Sequence, residues 1–316
     1  MSTRTPAPDR LGKDFLSILD LTPVALSRLV DLGARMKSDR AARRNGPQPL
    51  GGKHVALLFE KPSLRTRITF VLAVRELGGD VVELPDGVLF GARESAEDVA
   101  RNLERWVEGV VIRTFAHASL ERLAAAAPRL HVVNALTNEE HPCQALADIL
   151  TLEERLGSLT GRTLAFIGDG NNVAVSVTQA AVMSGMHVRL ASPAAYALPA
   201  EVLDACRAAA ADGATISLTT DAVAAATGAD AIYTDVWASM GQEAEEGARS
   251  KVFAPYQVDE RLMSAARPDA LFMHCLPAHR GAEVTDAVID SPASVVLDQA
   301  ENRLHMQKAL LSVLMG

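Results

Sequence analysis

The stretch Val55-Ala56-Leu57-Leu58-Phe59-Glu60-Lys61-Pro62-Ser63-Leu64-Arg65-Thr66-Arg67 decides the fold class. Its opening apolar run reads as a strand, which extends back to Lys53. Beyond Pro62, Leu64, Ile68, Leu72 and Leu77 recur at helical spacing until Gly78-Gly79 ends the helix. A strand joined by a short turn to a helix, repeated along a chain, is the signature of a parallel sheet with crossover helices. Ser63 is a good N-cap, so the first N–H groups of the helix are left for a ligand. Those amides, the positive end of the helix dipole and the side chains of Arg65, Thr66 and Arg67 suit a doubly charged anion such as phosphate. Taken alone, the same segment reads equally well as a helix start with solvated arginines.

The alternation continues outward in both directions. Strands are expected at Lys53–Phe59, Asp80–Leu84, Gly109–Ile112 and His131–Asn134, with a helix from Ser95 to Trp106 opening on the capping pair Ser95 and Asp98. Further strands are expected at Thr163–Ile167, His187–Leu190, Thr215–Thr219, Ala231–Tyr233, Leu271–His274 and Val295–Leu297. A helix over roughly His141–Leu156 joins the halves, and Gly157 to Gly161 ends it. The expectation is therefore an α/β chain with two doubly wound parallel-sheet domains, residues 1–150 and 151–301, and the active site in the cleft between them. A last helix, Asn302–Met315, is expected to pack back on the first domain.

A length of 316 residues suits two domains of about 150 each. Hydrophobic content of 48% and a charged fraction of 22% are those of a soluble globular protein. A net charge of −8 argues against nucleic acid as a partner, because no basic stripe exists to displace counterions. No apolar run approaches the ~18–20 residues that span a bilayer, and Met1 to Arg10 lacks the apolar core of a signal peptide. Cys143, Cys206 and Cys275 show no metal-ligand spacing, so reduced thiols in a cytoplasm and no bound metal are expected. Aromatic residues make up only 4%, which leaves the core to Ala, Val and Leu.

The unusual polar groups fall just after expected strands. Ser63, Arg65 and Thr66 follow one, Arg113-Thr114 another, and His141 and Gln144 open the helix after a third. Gly168-Asp169-Gly170-Asn171-Asn172, then Asp235 with Ser239-Met240-Gly241, then Cys275-Leu276-Pro277 repeat the pattern in the second half. Ligands of open α/β sheets bind outside the carboxyl ends of the strands. Singly, His141 and Asp235 also read as cap residues, and Cys275 as a buried thiol. The Gly168 loop has the first two glycines of a dinucleotide fingerprint, but Val173 takes the third position and the next strand ends in Ala191-Ser192 without a ribose-binding acid, which disfavours a nicotinamide site. The acidic cluster Glu243, Glu245, Glu246 and the basic run Arg35–Arg44 read as solvated faces.

Together these segments resemble the aspartate/ornithine carbamoyltransferase family, most closely its ornithine branch. The likeness rests on Ser63-Leu64-Arg65-Thr66-Arg67, Arg113-Thr114-Phe115, His141-Pro142-Cys143-Gln144, Asp235-Val236-Trp237-Ala238-Ser239-Met240-Gly241, His274-Cys275-Leu276-Pro277 and Asp298-Gln299-Ala300-Glu301-Asn302-Arg303, which run nearly end to end. It implies a carbamoyl-phosphate domain followed by an ornithine domain, and a trimer or a multiple of trimers. By the same likeness Ser63, Leu64 (through its backbone), Arg65 and Thr66 hold the phosphate. Arg113, His141, Gln144 and Arg303 hold the carbamoyl end, with Cys275 and Leu276 beside the carbonyl and the attacking δ-amine. Asn172, Asp235, Ser239 and Met240 hold the α-amino and α-carboxylate groups of L-ornithine. The implied products are L-citrulline and phosphate, and the implied reaction needs no cofactor. Asp235, Cys275 and the leaving phosphate all remain open as acceptors of the amine proton.

Three departures from the family pattern stand out. Leu89 takes the place of a glutamine that reaches a neighbouring subunit's site, Val71 that of a glutamate, and Val175 that of His or Asn. Within the family, aspartate as substrate would demand extra basic residues, putrescine would not need the Ser-Met-Gly element, and acylated ornithines go with a different segment than Ala278-His279-Arg280-Gly281. A non-catalytic binding subunit is the alternative from another class, and the intact set of Arg65, His141, Cys275 and Arg303 speaks against it.

Overall fold

A computed structural model describes residues 11–40, 48–84, 94–238 and 245–316. The chain divides into two compact units, one of Met1–Leu150 with Asn302–Gly316 and one of Thr151–Glu301. The first unit holds β1 (His54–Phe59), β2 (Asp80–Glu83), β3 (Gly109–Arg113) and β4 (His131–Leu136), paired in parallel in the order β2-β1-β3-β4. Its helices are α1 (Pro23–Ser38), α2 (Leu64–Glu76), α3 (Ala96–Leu103), α4 (His117–Ala126) and the start of α5 (Pro142–Leu156). The second unit holds β5 (Thr163–Ile167), β6 (His187–Ala191), β7 (Ile216–Thr219), β8 (Ala231–Tyr233) and β9 (Leu271–Met273), also parallel, in the order β7-β6-β5-β8-β9. Around them lie α6 (Asn172–Met183), α7 (Ala200–Ala209), α8 (Ala222–Ala226), α9 (Glu246–Phe253), α10 (Glu260–Ala265) and α11 (Asp286–Ile289). The last helix, α12 (Val296–Met315), starts in the second unit and contributes its residues from Asn302 to the first.

Both strand orders contain a switch point, between β1 and β3 in one sheet and between β5 and β8 in the other, where successive strands are added in opposite directions. Connections that leave the two central strands in opposite directions open a crevice at their carboxyl ends. The register places Phe59 beside Arg113, and Phe166 beside Tyr233, at those ends.

The core of the first unit is built from short aliphatics. Ala56, Leu58, Val99, Leu103, Val110, Ile112, Leu123 and Val132 belong to one cluster without an aromatic ring. In the second unit Trp237, Phe253, Tyr256 and Phe272 join the Ala, Val and Leu residues. No helix among the described residues is long and apolar enough to cross a membrane.

One sequence expectation needs correction. Val295–Leu297 is not a strand. Ser294 makes a single parallel bridge to Phe272, Val295 N–H donates to Phe272 O at 3.0 Å, and the chain then turns into α12, which therefore begins at Val296 and not at Asn302. A short run of β-branched residues fits a strand and a buried helical turn equally, and length alone separates them. The apolar stripe that marks α2 in the sequence is not its core face. Leu64, Ile68 and Leu72 are 73%, 49% and 38% exposed, whereas Thr66, Phe70, Ala73 and Val74 are buried.

Candidate active site

In the first unit, α2 starts where β1 ends. Ser63 is its N-cap, with an extended backbone and a hydroxyl that accepts from Thr66 N–H at 3.3 Å. Ser63 satisfies one amide and leaves the others of the first turn directed outward. Thr66 is fully buried, and its hydroxyl accepts from Arg303 Nη2 at 2.5 Å. That bond ties α12 to the start of α2. Arg113, the last residue of β3, and His141, just before α5, are both buried near Arg303. Gln144 is 1% exposed and its Nε2 donates to Asp148 Oδ1 at 2.8 Å, which fixes the amide. The unit thus gathers Arg113, Arg303, Thr66 and His141 around one carboxyl-end crevice.

Burial, reinforced by the charges of Arg303 and Arg113, holds His141 well below the ordinary histidine range. It is therefore a neutral imidazole, able to donate one hydrogen bond without adding a cation. Burial pushes the neighbouring Cys143 thiol up to about 12, and its sulfur donates to Asn134 O at 3.3 Å. Cys143 is a structural thiol. Lys61 went unremarked in the sequence, although it lies inside the opening stretch. It is 6% exposed, donates from Nζ to Asn138 Oδ1 at 2.6 Å and sits 4.3 Å from the centre of the Phe115 ring. Burial, then Arg113, lowers its pKa. A lysine two residues before a phosphate-type N-cap was the available signal.

In the second unit, Asp235 follows β8 and is 5% exposed. One carboxylate oxygen accepts from Asn171 Nδ2 at 2.7 Å and the other from the Cys275 thiol at 3.0 Å. Asn171 is also the N-cap of α6, its side-chain oxygen accepting from Val173 and Ala174 N–H, so Asn172 is the first residue of that helix. Cys275 follows β9. The adjoining His274 is fully buried, receives Leu276 N–H on Nδ1 at 2.9 Å and lies 3.3 Å from Glu283 through Nε2. Those bonds hold Leu276 at φ 58°, a left-handed conformation that costs a leucine roughly 1–3 kcal/mol and concentrates at working sites. Burial raises Glu283, but hydrogen bonds from His274 and from His279 N–H outweigh it and hold the carboxyl below its usual range. Ser239 and Met240 lie outside the described residues, as does Leu89.

Among the described residues, Asp235, His274 and Cys275 bring metal-capable atoms within 4.8 Å of one another. Both nitrogens of the His274 ring are engaged by Leu276 and Glu283, so the imidazole is committed to the protein. The Gly168 loop is likewise shaped by packing. Gly170 N–H donates to Tyr196 O at 2.8 Å, and a Cβ there would lie 2.6 Å from that oxygen. Each unit therefore offers one polar crevice: a cationic one with buried donors in the first, and one centred on a carboxylate and a thiol in the second.

Comparison with known proteins bears on both. Residues 13–154 match the aspartate/ornithine carbamoyltransferase carbamoyl-P binding domain, and residues 160–314 match the Asp/Orn binding domain. The chain is 50% identical over 306 residues to an ornithine carbamoyltransferase of Parafrankia sp., covering 96% of each protein. It is 49% identical over 308 residues to one of Symbiobacterium thermophilum, covering 96% of this chain and 98% of that protein. Among solved structures, the ornithine carbamoyltransferase from Pyrococcus furiosus superposes with a TM-score of 0.92 at 44% identity, covering 96% of this chain and 97% of that one. The enzyme from Thermus thermophilus gives 0.86 at 44% identity, with 97% and 100% covered. With both domain models matched along nearly its whole length, the chain belongs to the aspartate/ornithine carbamoyltransferase family.

Proposed function

We propose that the chain is an ornithine carbamoyltransferase, moving the carbamoyl group of carbamoyl phosphate to the δ-amine of L-ornithine to give L-citrulline and phosphate. The observations that carry this reading are a buried Arg113, His141, Arg303 and Thr66 set in the first unit and, in the second, a buried Asp235 carboxylate bonded to the half-buried Cys275 and Asn171. The cationic set suits an anionic, carbonyl-bearing donor. The carboxylate suits the α-ammonium of an amino acid.

The phosphate is assigned to Ser63, Leu64 N–H, Arg65 and Thr66 at the start of α2, where free amides and the dipole favour negative charge. Arg113, His141, Gln144 and Arg303 take the carbamoyl end. As the neutral δ-amine attacks, an oxyanion develops, and donors already in place stabilise it without reorganising. A neutral His141 donates to that oxygen without transferring its proton, while Arg113 and Arg303 supply charge. Phosphate leaves with its growing charge on Arg65 and the helix amides. Asn172, Asp235, Ser239 and Met240 hold the α-groups of ornithine, and Cys275 and Leu276 lie beside the reacting nitrogen. Asp235, Cys275 and the leaving phosphate share the open role of proton acceptor. The steps need no cofactor. The protein works in the cytoplasm as a trimer or a multiple of trimers. The exposed strip of Leu64, Ile68 and Leu72 supports association, since contiguous exposed apolar residues on a helix mark an interface.

The test measures ureido product from carbamoyl phosphate with ornithine, putrescine, aspartate and N-acetylornithine side by side. Ornithine is expected to win by orders of magnitude; equal rates with putrescine would remove the α-amino-acid assignment. Arg65→Ala is expected to cut kcat/KM by about tenfold to a hundredfold or more, since a charged hydrogen bond is typically worth ~1.5–3 kcal/mol.

A further inference from the structure

We infer that Arg249 is a positioning residue: it locks the loops after β5 and β8 together and thereby sets the affinity for the amino-acid substrate without touching it. The inference rests on the assignment of Asn172 and Asp235 to ornithine.

Arg249 lies in α9 and is 6% exposed. Its Nη1 donates to Asp169 Oδ2 and to Trp237 O, both at 2.8 Å, and its Nε donates to Glu245 Oε2 at 3.1 Å. The guanidinium carbon sits 4.8 Å from the centre of the Tyr196 ring and 6.0 Å from that of Phe253. Asp169 stands two residues before Asn171, the residue that holds Asp235 and caps α6. Trp237 stands two residues after Asp235. One planar cation therefore grips the flank of both segments that carry the ornithine groups. Tyr196, stacked on that cation, also receives Gly170 N–H, so the whole Gly168–Asn172 loop is seated on the same centre. One guanidinium nitrogen reaches both the Asp169 carboxylate and the Trp237 carbonyl, a second reaches Glu245, and the group sits over the Tyr196 ring, a combination an ammonium cannot reproduce. Removing either partner strands a buried charge, which is far more damaging than losing an exposed pair.

Titration supports the geometry. Burial pushes Asp169 up to about 6, against the pull of Arg249, with Asp235 and Glu245 adding to the rise. Below that pH Asp169 is neutral and its bond to Arg249 loses the charge on one side; above it the ion pair is complete. Ornithine should thus bind more weakly as pH falls through about 6.

The full-length enzyme is assayed as wild type, Asp169→Asn, Arg249→Lys and Arg249→Met, with melting temperature as a check on folding. Asp169→Asn and Arg249→Met are expected to raise KM for ornithine about tenfold to a hundredfold, with KM for carbamoyl phosphate and kcat within about twofold. Arg249→Lys should fall between them and wild type. The acid rise of ornithine KM should vanish in Asp169→Asn. Should Arg249→Met fail to fold, Asp169→Asn and Arg249→Lys decide alone. Unchanged ornithine KM in these variants, equal losses in all three constants, or an acid step that survives Asp169→Asn would overturn the inference while leaving the substrate assignment intact. A wild-type enzyme that ignores ornithine would sink both.

Discussion

Cys275 is the residue whose role its neighbours define most sharply. Its thiol donates to Asp235, a carboxylate also held by Asn171, so the sulfur is oriented by a hydrogen bond and half-exposed. A covalent role would need a free thiolate aimed at the carbonyl. We expect Cys275 to position and polarise. Cys275→Ala should lower kcat by about tenfold to a thousandfold, within the usual range for losing one oriented polar group, and leave measurable turnover. Rapid acid quench followed by mass spectrometry should find no carbamoyl adduct on the wild-type protein, and a trapped thioester on Cys275 would refute this. The residue types of the candidate site were legible in the sequence because Arg, His, Asp and Cys stood just after strand-like runs. Their partners were not. Asp169 and Arg249 are 80 positions apart, and Lys61 and Asn138 are 77 apart. Such pairings are created by folding and leave no local pattern.

At the scale of elements, periodicity located α2 but left its inner face undetermined. Leu64, Ile68 and Leu72 recur with helical spacing, yet the side chains that fill the core are Phe70, Ala73 and Val74. Apolar residues line two stripes of this helix, and spacing alone cannot say which of them faces the sheet. The assignment can be checked by stability. Phe70→Ala should cost about 3–5 kcal/mol in urea unfolding, because Phe70 is fully buried and its loss leaves a cavity. Leu72→Ala, at a half-exposed position, should cost less than about 1 kcal/mol in a dissociated chain. Reversed magnitudes would show that the Leu64–Ile68–Leu72 stripe faces the core. The misread strand at Val295–Leu297 has a similar origin, since one bridged residue, Ser294, and the turn into α12 decide it.

The whole molecule was the most legible level. A chain of alternating strands and helices in which polar residues gather at strand ends has few compatible architectures, and parallel sheets with switch points are the ones that use those ends. Assembly is a property of the same scale. Besides the α2 strip, Val82 on the edge strand β2 is also 38% exposed. An exposed apolar strip on a chain of net charge −8 fits a surface that associates with another copy. We therefore expect light scattering to give three times the 33.6 kDa chain mass, or a multiple of that. Ile68→Asp should place a charge in the covered strip and shift the protein toward the single chain while its circular dichroism is unchanged, because Ile68 contributes little to the core. A variant that keeps the wild-type mass at micromolar concentration would show that association uses another face.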